Sequence, residues 1–119
     1  MRGPFQLGTG FRFADFSDGL SNTLLVGEKH VPQGKLGVGW WDCSLYNGDY
    51  HQCSTRAAGR WFPLTTDLKD GGWKFGSLHT HVVQFCFAGG NVRGLADTID
   101  PAVLELLGMR GHGQIVPDY

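Results

Sequence analysis

The sequence has no excess of charge of either sign. Ten Lys and Arg against eleven Asp and Glu leave a net charge of −1 over 119 residues, so there is no electrostatic footprint for nucleic acid or for an anionic membrane surface. Long hydrophobic runs are missing as well. Nothing approaches the ~18 apolar residues of a membrane-spanning helix, and Met1 to Gly10 has neither the basic start nor the apolar stretch of a signal peptide. Heptads, repeats, linkers and low-complexity tracts are absent, which excludes coiled coils and solenoids. Enzyme signatures fail in turn. There is no G-x-S-x-G elbow, and no Ser/His/Asp order stands out. Gly34-Lys35 is followed by Leu36, where a phosphate-binding loop needs Ser or Thr, and Gly37-Val38-Gly39 lacks the third glycine of a dinucleotide fold. We therefore expect neither catalysis nor a cofactor.

What is plentiful is glycine and aromatic carbon. Nineteen glycines stand beside eight Phe, four Trp and three Tyr. Glycine loses the most backbone entropy on folding, and each aromatic ring offers ~150–250 Å² to bury in compensation. The length suits one domain, residues 1–119, with a single core. The period of the hydrophobic pattern places its centre. From His79 to Ala88 residues alternate, with His81, Val83, Phe85 and Phe87 on one face. Gly89-Gly90-Asn91 supplies a tight reversal, and Val92 to Asp97 returns as a second strand with Gly94 as a bulge. Asp100 caps a helix that starts at Pro101 and ends near Leu107, before Gly108.

Further strands are expected at Phe11–Ala14, at Thr23–Lys29 with Leu24 and Val26 on one face, and at Val38–Asp42 carrying Trp40 and Trp41. Gln114-Ile115-Val116 adds an edge strand blunted by Pro117. Asn47-Gly48-Asp49 is a turn, and Trp61-Phe62-Pro63-Leu64 touches the core. The fold class is α+β, mainly β: an antiparallel sheet with a short C-terminal helix and long Gly-rich loops.

Two segments carry a family resemblance. His79, nine residues and then Gly89-Gly90 resembles the C-terminal H-X9-DG signature of a pilin-related family, abundant in planctomycete-type bacteria and labelled a domain of unknown function. Gly89 stands where that family has Asp, and His79-Thr80-His81-Val82 replaces its His-Pro-Gly-Gly opening. Near the N-terminus, Asp18-Gly19-Leu20-Ser21-Asn22-Thr23 through Gly27-Glu28 is similar to the family's D-G-T-S-N-T and G-E elements. The resemblance implies a pilin- or pseudopilin-like head without its N-terminal hydrophobic helix, either the C-terminal part of a longer ancestor or a head whose helix comes from elsewhere. It implies an extracytoplasmic, non-catalytic structural subunit of a surface, pilus-like or secretion-associated assembly, acting by protein–protein contacts as a homo-oligomer or within a larger assembly. The alternative is an extracytoplasmic solute- or glycan-binding module.

The remaining chemistry is weighed residue by residue. Cys43 and Cys53 flank a polar loop, and a disulfide there stabilises by roughly 2–3 kcal/mol. The rival readings are free thiols, or zinc with His51, whose spacing lacks the tight knuckle. Cys86 reads as a small buried residue. His79 and His81, two apart on one strand face, have a metal-compatible spacing, but Gly89 removes the family's carboxylate and ordinary hydrogen bonding is the simpler reading. His30, His51 and His112 have no evident partner. Asp15, Asp18, Glu28, Asp42, Asp49, Asp67 and Asp70 offer oxygen ligands for calcium without forming a calcium loop, and solvated turns account for them more simply. Trp40, Trp41 and Trp61, with Trp73, serve as core, as a subunit interface or as a ligand platform. Phe85 and Phe87 belong to a face that the short helix only partly covers, leaving an apolar patch for a partner.

Overall fold

The computed structural model describes residues 3–47 and 49–119. Three strands, β1 (Leu24–Gly27), β2 (Val82–Phe87) and β3 (Val92–Ala96), form one antiparallel sheet in the order β1-β2-β3. One helix, α1 (Pro101–Leu107), follows. Everything else is short 3-10 turns, isolated bridges and loops.

The period-2 pattern explains β2. Val83, Phe85 and Phe87 are buried, and Gln84 between them is exposed. They share a core with Leu24, Leu64 and Leu95 from the sheet side and Val103, Leu104 and Leu107 from α1. The helix begins where the sequence signals it. The Asp100 carboxylate accepts from the Ala102 N–H at 2.8 Å, which satisfies one of the free donors of the first turn.

The helix is not alone in covering this face. Phe85 and Phe87 are 2% and 0% exposed, because Phe75 packs edge-on against Phe85 and Tyr119 stacks on Phe87 beside the helix. The uncovered Phe85/Phe87 face expected from the sequence does not exist in the single chain, and neither ring is available as an interface or ligand residue.

Several local expectations are also corrected. β2 starts at Val82, not His79. The Ser77 hydroxyl donates to the Val82 carbonyl and accepts from the His79 N–H, holding a turn there. His81, at φ 57°, turns off the strand face and is exposed. Gly94 is no bulge: β2 and β3 pair in unbroken register from Val82↔Ala96 to Cys86↔Val92. Its Cβ would come within 2.7 Å of the Val82 side chain, so glycine there makes room for a cross-strand neighbour. The irregularity lies in β1 instead, between Leu24 and Val26, and it sends Leu24 into the core and Val26 to solvent.

Phe11–Ala14 is not a strand. Its end joins a 3-10 turn, Phe13–Asp15, where the Asp15 carboxylate accepts from the Arg12 N–H at 2.7 Å. Val38–Asp42 is a run of turns with Trp40 at φ 82°. Asp42 imposes them, its carboxylate accepting from Gly37 N–H at 2.8 Å and from Lys29 Nζ at 2.6 Å. Gln114–Val116 is irregular because the Gln114 N–H is bonded to His112 Nδ1 rather than to a strand. The centre of the Asn47-Gly48-Asp49 turn lies outside the described residues, as do Met1 and Arg2 of the lead-in.

Candidate functional site

The two motif segments meet, and each makes backbone of the other's turn regular. Gly19 takes φ 93°, a conformation glycine adopts without strain. This lets the chain close a 3-10 turn, Leu20–Asn22, in which Asn22 Nδ2 donates to the Asp18 carbonyl and the Thr23 hydroxyl donates to the Gly19 carbonyl. The β2–β3 reversal docks on that turn. Gly89 N–H donates to the Leu20 carbonyl at 3.0 Å and Ala88 N–H to the Thr23 carbonyl at 2.8 Å. Thr23 is fully buried between them, whereas Ser21 is exposed.

The other end is closed by Glu28. One carboxylate oxygen lies 3.0 Å from His79 Nε2, and the other accepts from the Gln84 N–H at 2.7 Å. Gly27, beside it, sits under the edge-to-face pair Phe75 and Phe85, and a Cβ there would overlap both rings. A glycine followed by an acid at this point is thus a packing requirement and a strand-end clamp. The Asp18 carboxylate reaches the far end of the chain, accepting from the His112 and Gly113 N–H groups at 2.5 and 3.0 Å.

The two glycines of the reversal differ in what they require. Gly90 takes φ 92°, so the second position of the pair needs glycine. Gly89 does not, since a Cβ there would stand 3.5–3.6 Å from Asn91 and Leu20, at ordinary contact distance.

His79 and His81 do not converge. His81 Nδ1 pairs with Asp97 at 3.1 Å, while His79 pairs with Glu28. Asp97 also accepts from the Thr66 hydroxyl; this bond, against the opposing effect of burial and helped by His81, holds its carboxyl below the usual value. The acids weighed for calcium are dispersed, Asp42 to Lys29, Asp67 to the Lys69 N–H and Asp70 to Lys74 and the Gly72 N–H. Among the described residues no three His, Cys, Asp or Glu are gathered to hold a metal ion.

Cys43 and Cys53 are joined in a disulfide with Cα atoms 5.2 Å apart, and Cys86 is free and half-buried. The thiolates for a zinc site with His51 are therefore not available. Sequence reasoning passed over Arg56, the residue that organises this region. Its buried guanidinium donates to the carbonyls of His30, Trp41, Gln52 and Thr55 at 2.5–3.1 Å. Burial lowers its pKa, opposed by the charge of Asp42. His30 and His112 also acquire partners, the Asp70 carbonyl for the first and Asp18 with the Gln114 N–H for the second. Asp70 and Asp18 lie too far along the chain from these histidines to be read from local pattern.

The tryptophans are spread out. Trp40 stands edge-on to Tyr50 on the disulfide-closed loop, Trp41 is half-buried with its carbonyl on Arg56, and Trp61 is 87% exposed on a separate turn. Trp61 is thus no part of the core, although Leu64 is. Two concavities, of about 530 and 440 Å³, flank the C-terminal tail and contain no tryptophan.

Residues 1–102 match a family model described as protein of unknown function (DUF1559), with the short label SBP_bac_10. No curated protein and no solved structure matches the chain.

Proposed function

Since this chain belongs to the DUF1559 family of proteins of unknown function, we propose that it is a non-catalytic structural subunit of a bacterial surface, pilus-like or secretion-associated assembly. The observation that carries this reading is the use made of the motif residues. His79, Glu28, Asp18, Asn22 and Thr23 spend their polar groups on one another, on Gln84 and on the C-terminal tail. Groups committed to fixing backbone are poorly placed to move protons or bind substrate, and well placed to make a rigid head. The pilin-like H-X9-DG likeness adds the assembly to the reading.

An extracytoplasmic location is part of the same proposal, supported by the Cys43–Cys53 disulfide, a bond that persists in oxidising compartments. No helix among the described residues is long and apolar enough to cross a membrane. The test is cross-linking and co-purification of the chain from its own cells, combined with fractionation. Recovery in a high-mass surface fraction is expected. Recovery as a lone cytoplasmic protein with reduced Cys43 and Cys53 would overturn it.

A solute- or glycan-binding module is the second reading, favoured by the half-exposed Trp40 beside Tyr50 and by the family's short label. It has less support, because Trp40, Trp41 and Trp61 do not line either concavity beside the tail. Saturable quenching of tryptophan fluorescence by an oligosaccharide, lost in Trp40→Ala, would move the balance to it.

A further inference from the structure

The outer edge of β3 is open. In an antiparallel ladder, residues alternate between pairs that exchange backbone bonds and pairs that do not. The bonds Phe87 N–H to Asn91 O and Asp97 N–H to His81 O bracket the β2–β3 register. They turn the N–H and C=O groups of Arg93 and Leu95 toward β2 and those of Val92, Gly94 and Ala96 away from it. Among the described residues, nothing donates to or accepts from these outward groups except the Ile99 N–H, which reaches the Ala96 carbonyl. Of the usual devices that protect an edge, Val92–Ala96 has no proline, no lysine and no bulge. Its one charge, Arg93, is folded over the Tyr119 ring and bonded to the Tyr119 carbonyl.

We infer that this edge pairs antiparallel with the β3 edge of a second copy of the chain, with the two-fold axis at Gly94. The inference rests on the structural-subunit reading and names its contact. The strand is self-complementary about that axis. Val92 falls opposite Ala96 of the second copy and Gly94 opposite Gly94; the Gly94 pair exchanges both backbone bonds, and the Ala96 carbonyl takes the Val92 N–H beside the Ile99 N–H it already accepts. On the outer sheet face the register already aligns Val26, Cys86 and Val92 in one row, and Ala96 with Val82 in another. The two-fold joins one copy's first row to the other copy's second, making a continuous apolar row across both molecules. Val26 and Val92, 58% and 69% exposed in the single chain, lie in that row.

A short edge makes a small contact, under about 1,200 Å² in total, so a weak, concentration-dependent dimer is expected.

Light scattering and amide hydrogen exchange of the intact, oxidised protein from about 10 µM to about 1 mM test this, a range that brackets a contact of that size. A rise toward dimer mass is expected, with exchange of the Gly94 and Ala96 amides slowing at least about tenfold as the dimer fills. Ala96→Pro, which removes an outward N–H and no bond within the chain, should stay monomeric with an unchanged circular dichroism spectrum. If that variant misfolds, the concentration dependence of the two wild-type amides still decides. A dimer whose Gly94 and Ala96 amides stay unprotected, or one that survives Ala96→Pro, places the contact elsewhere and overturns the inference. A monomer throughout overturns it too, including one in which the edge is protected by a different co-purified protein. The structural-subunit reading would outlive each of those results, since it stands on recovery in an assembly.

Discussion

Gly89 and Gly90 are neighbours with opposite demands, and the difference is testable one residue at a time. Gly90 sits at φ 92°, where a β-branched side chain collides with its own backbone and Asn is tolerated. Gly90→Val should cost about 1–3 kcal/mol and Gly90→Asn clearly less. Gly89→Asp should stay within about 0.5 kcal/mol of the parent, because its Cβ finds only ordinary contacts. Thermal midpoints of the three variants check the ranking, and equal losses for Gly90→Val and Gly89→Asp would contradict the assigned geometry. Arg56 makes a second residue-scale case. Its planar fork feeds several carbonyls at once, and a lysine point charge cannot reproduce that arrangement. Arg56→Lys should therefore recover little of the loss in Arg56→Ala, which we expect at about 2–4 kcal/mol by urea unfolding, since hydrogen bonds from a charged donor are lost and buried carbonyls are left unpaired.

At the scale of elements, what was legible in the sequence was local and periodic. The Val83/Phe85/Phe87 alternation, the Gly-Gly-Asn reversal, the Asp100-Pro101 start and the Cys43–Cys53 pair each follow from a few adjacent residues or one loop length. What was not legible depends on residues far along the chain. Asp42, which closes the Val38–Asp42 turns, is held by Lys29 from thirteen residues away, and His81 leaves the strand face where Asp97 and the Ser77 turn hold it. The same division holds for the candidate site. His79 and Glu28 were both singled out as motif positions, but their 3.0 Å approach depends on how β1 and β2 pair. The disulfide loop is the element to perturb separately. Alkylation of the native protein should block Cys86 alone, and all three cysteines only after reduction. Reduction should lower stability by roughly 2–3 kcal/mol through the looser unfolded chain. Three thiols reactive from the start would contradict the bond.

The whole molecule is held by carboxylates, two of which bridge distant parts of the chain while a third clamps a local turn. Asp42 joins Lys29 to the 37–42 turns, Asp70 clamps Lys74 and the Gly72 N–H, and Asp97 links Thr66 to His81. All three are held below their ordinary value of 3.8. For Asp42 the main cause is the Lys29 bond; for Asp70, burial pushes the other way and is outweighed by Lys74 and the Gly72 N–H. A carboxyl with a depressed folded-state pKa binds protons more readily when unfolded, so its contribution is complete above the ordinary value and shrinks as pH falls through the folded one. Folding stability should therefore be flat on the acid side of neutrality and decline from about pH 4 downward, over the range in which the unfolded carboxyls protonate first. Asp42→Asn and Asp70→Asn should each flatten that decline while lowering stability at pH 7. Urea midpoints measured from pH 2 to pH 7 check both halves, and a decline that began near pH 6 in the parent would contradict the assignment to these acids.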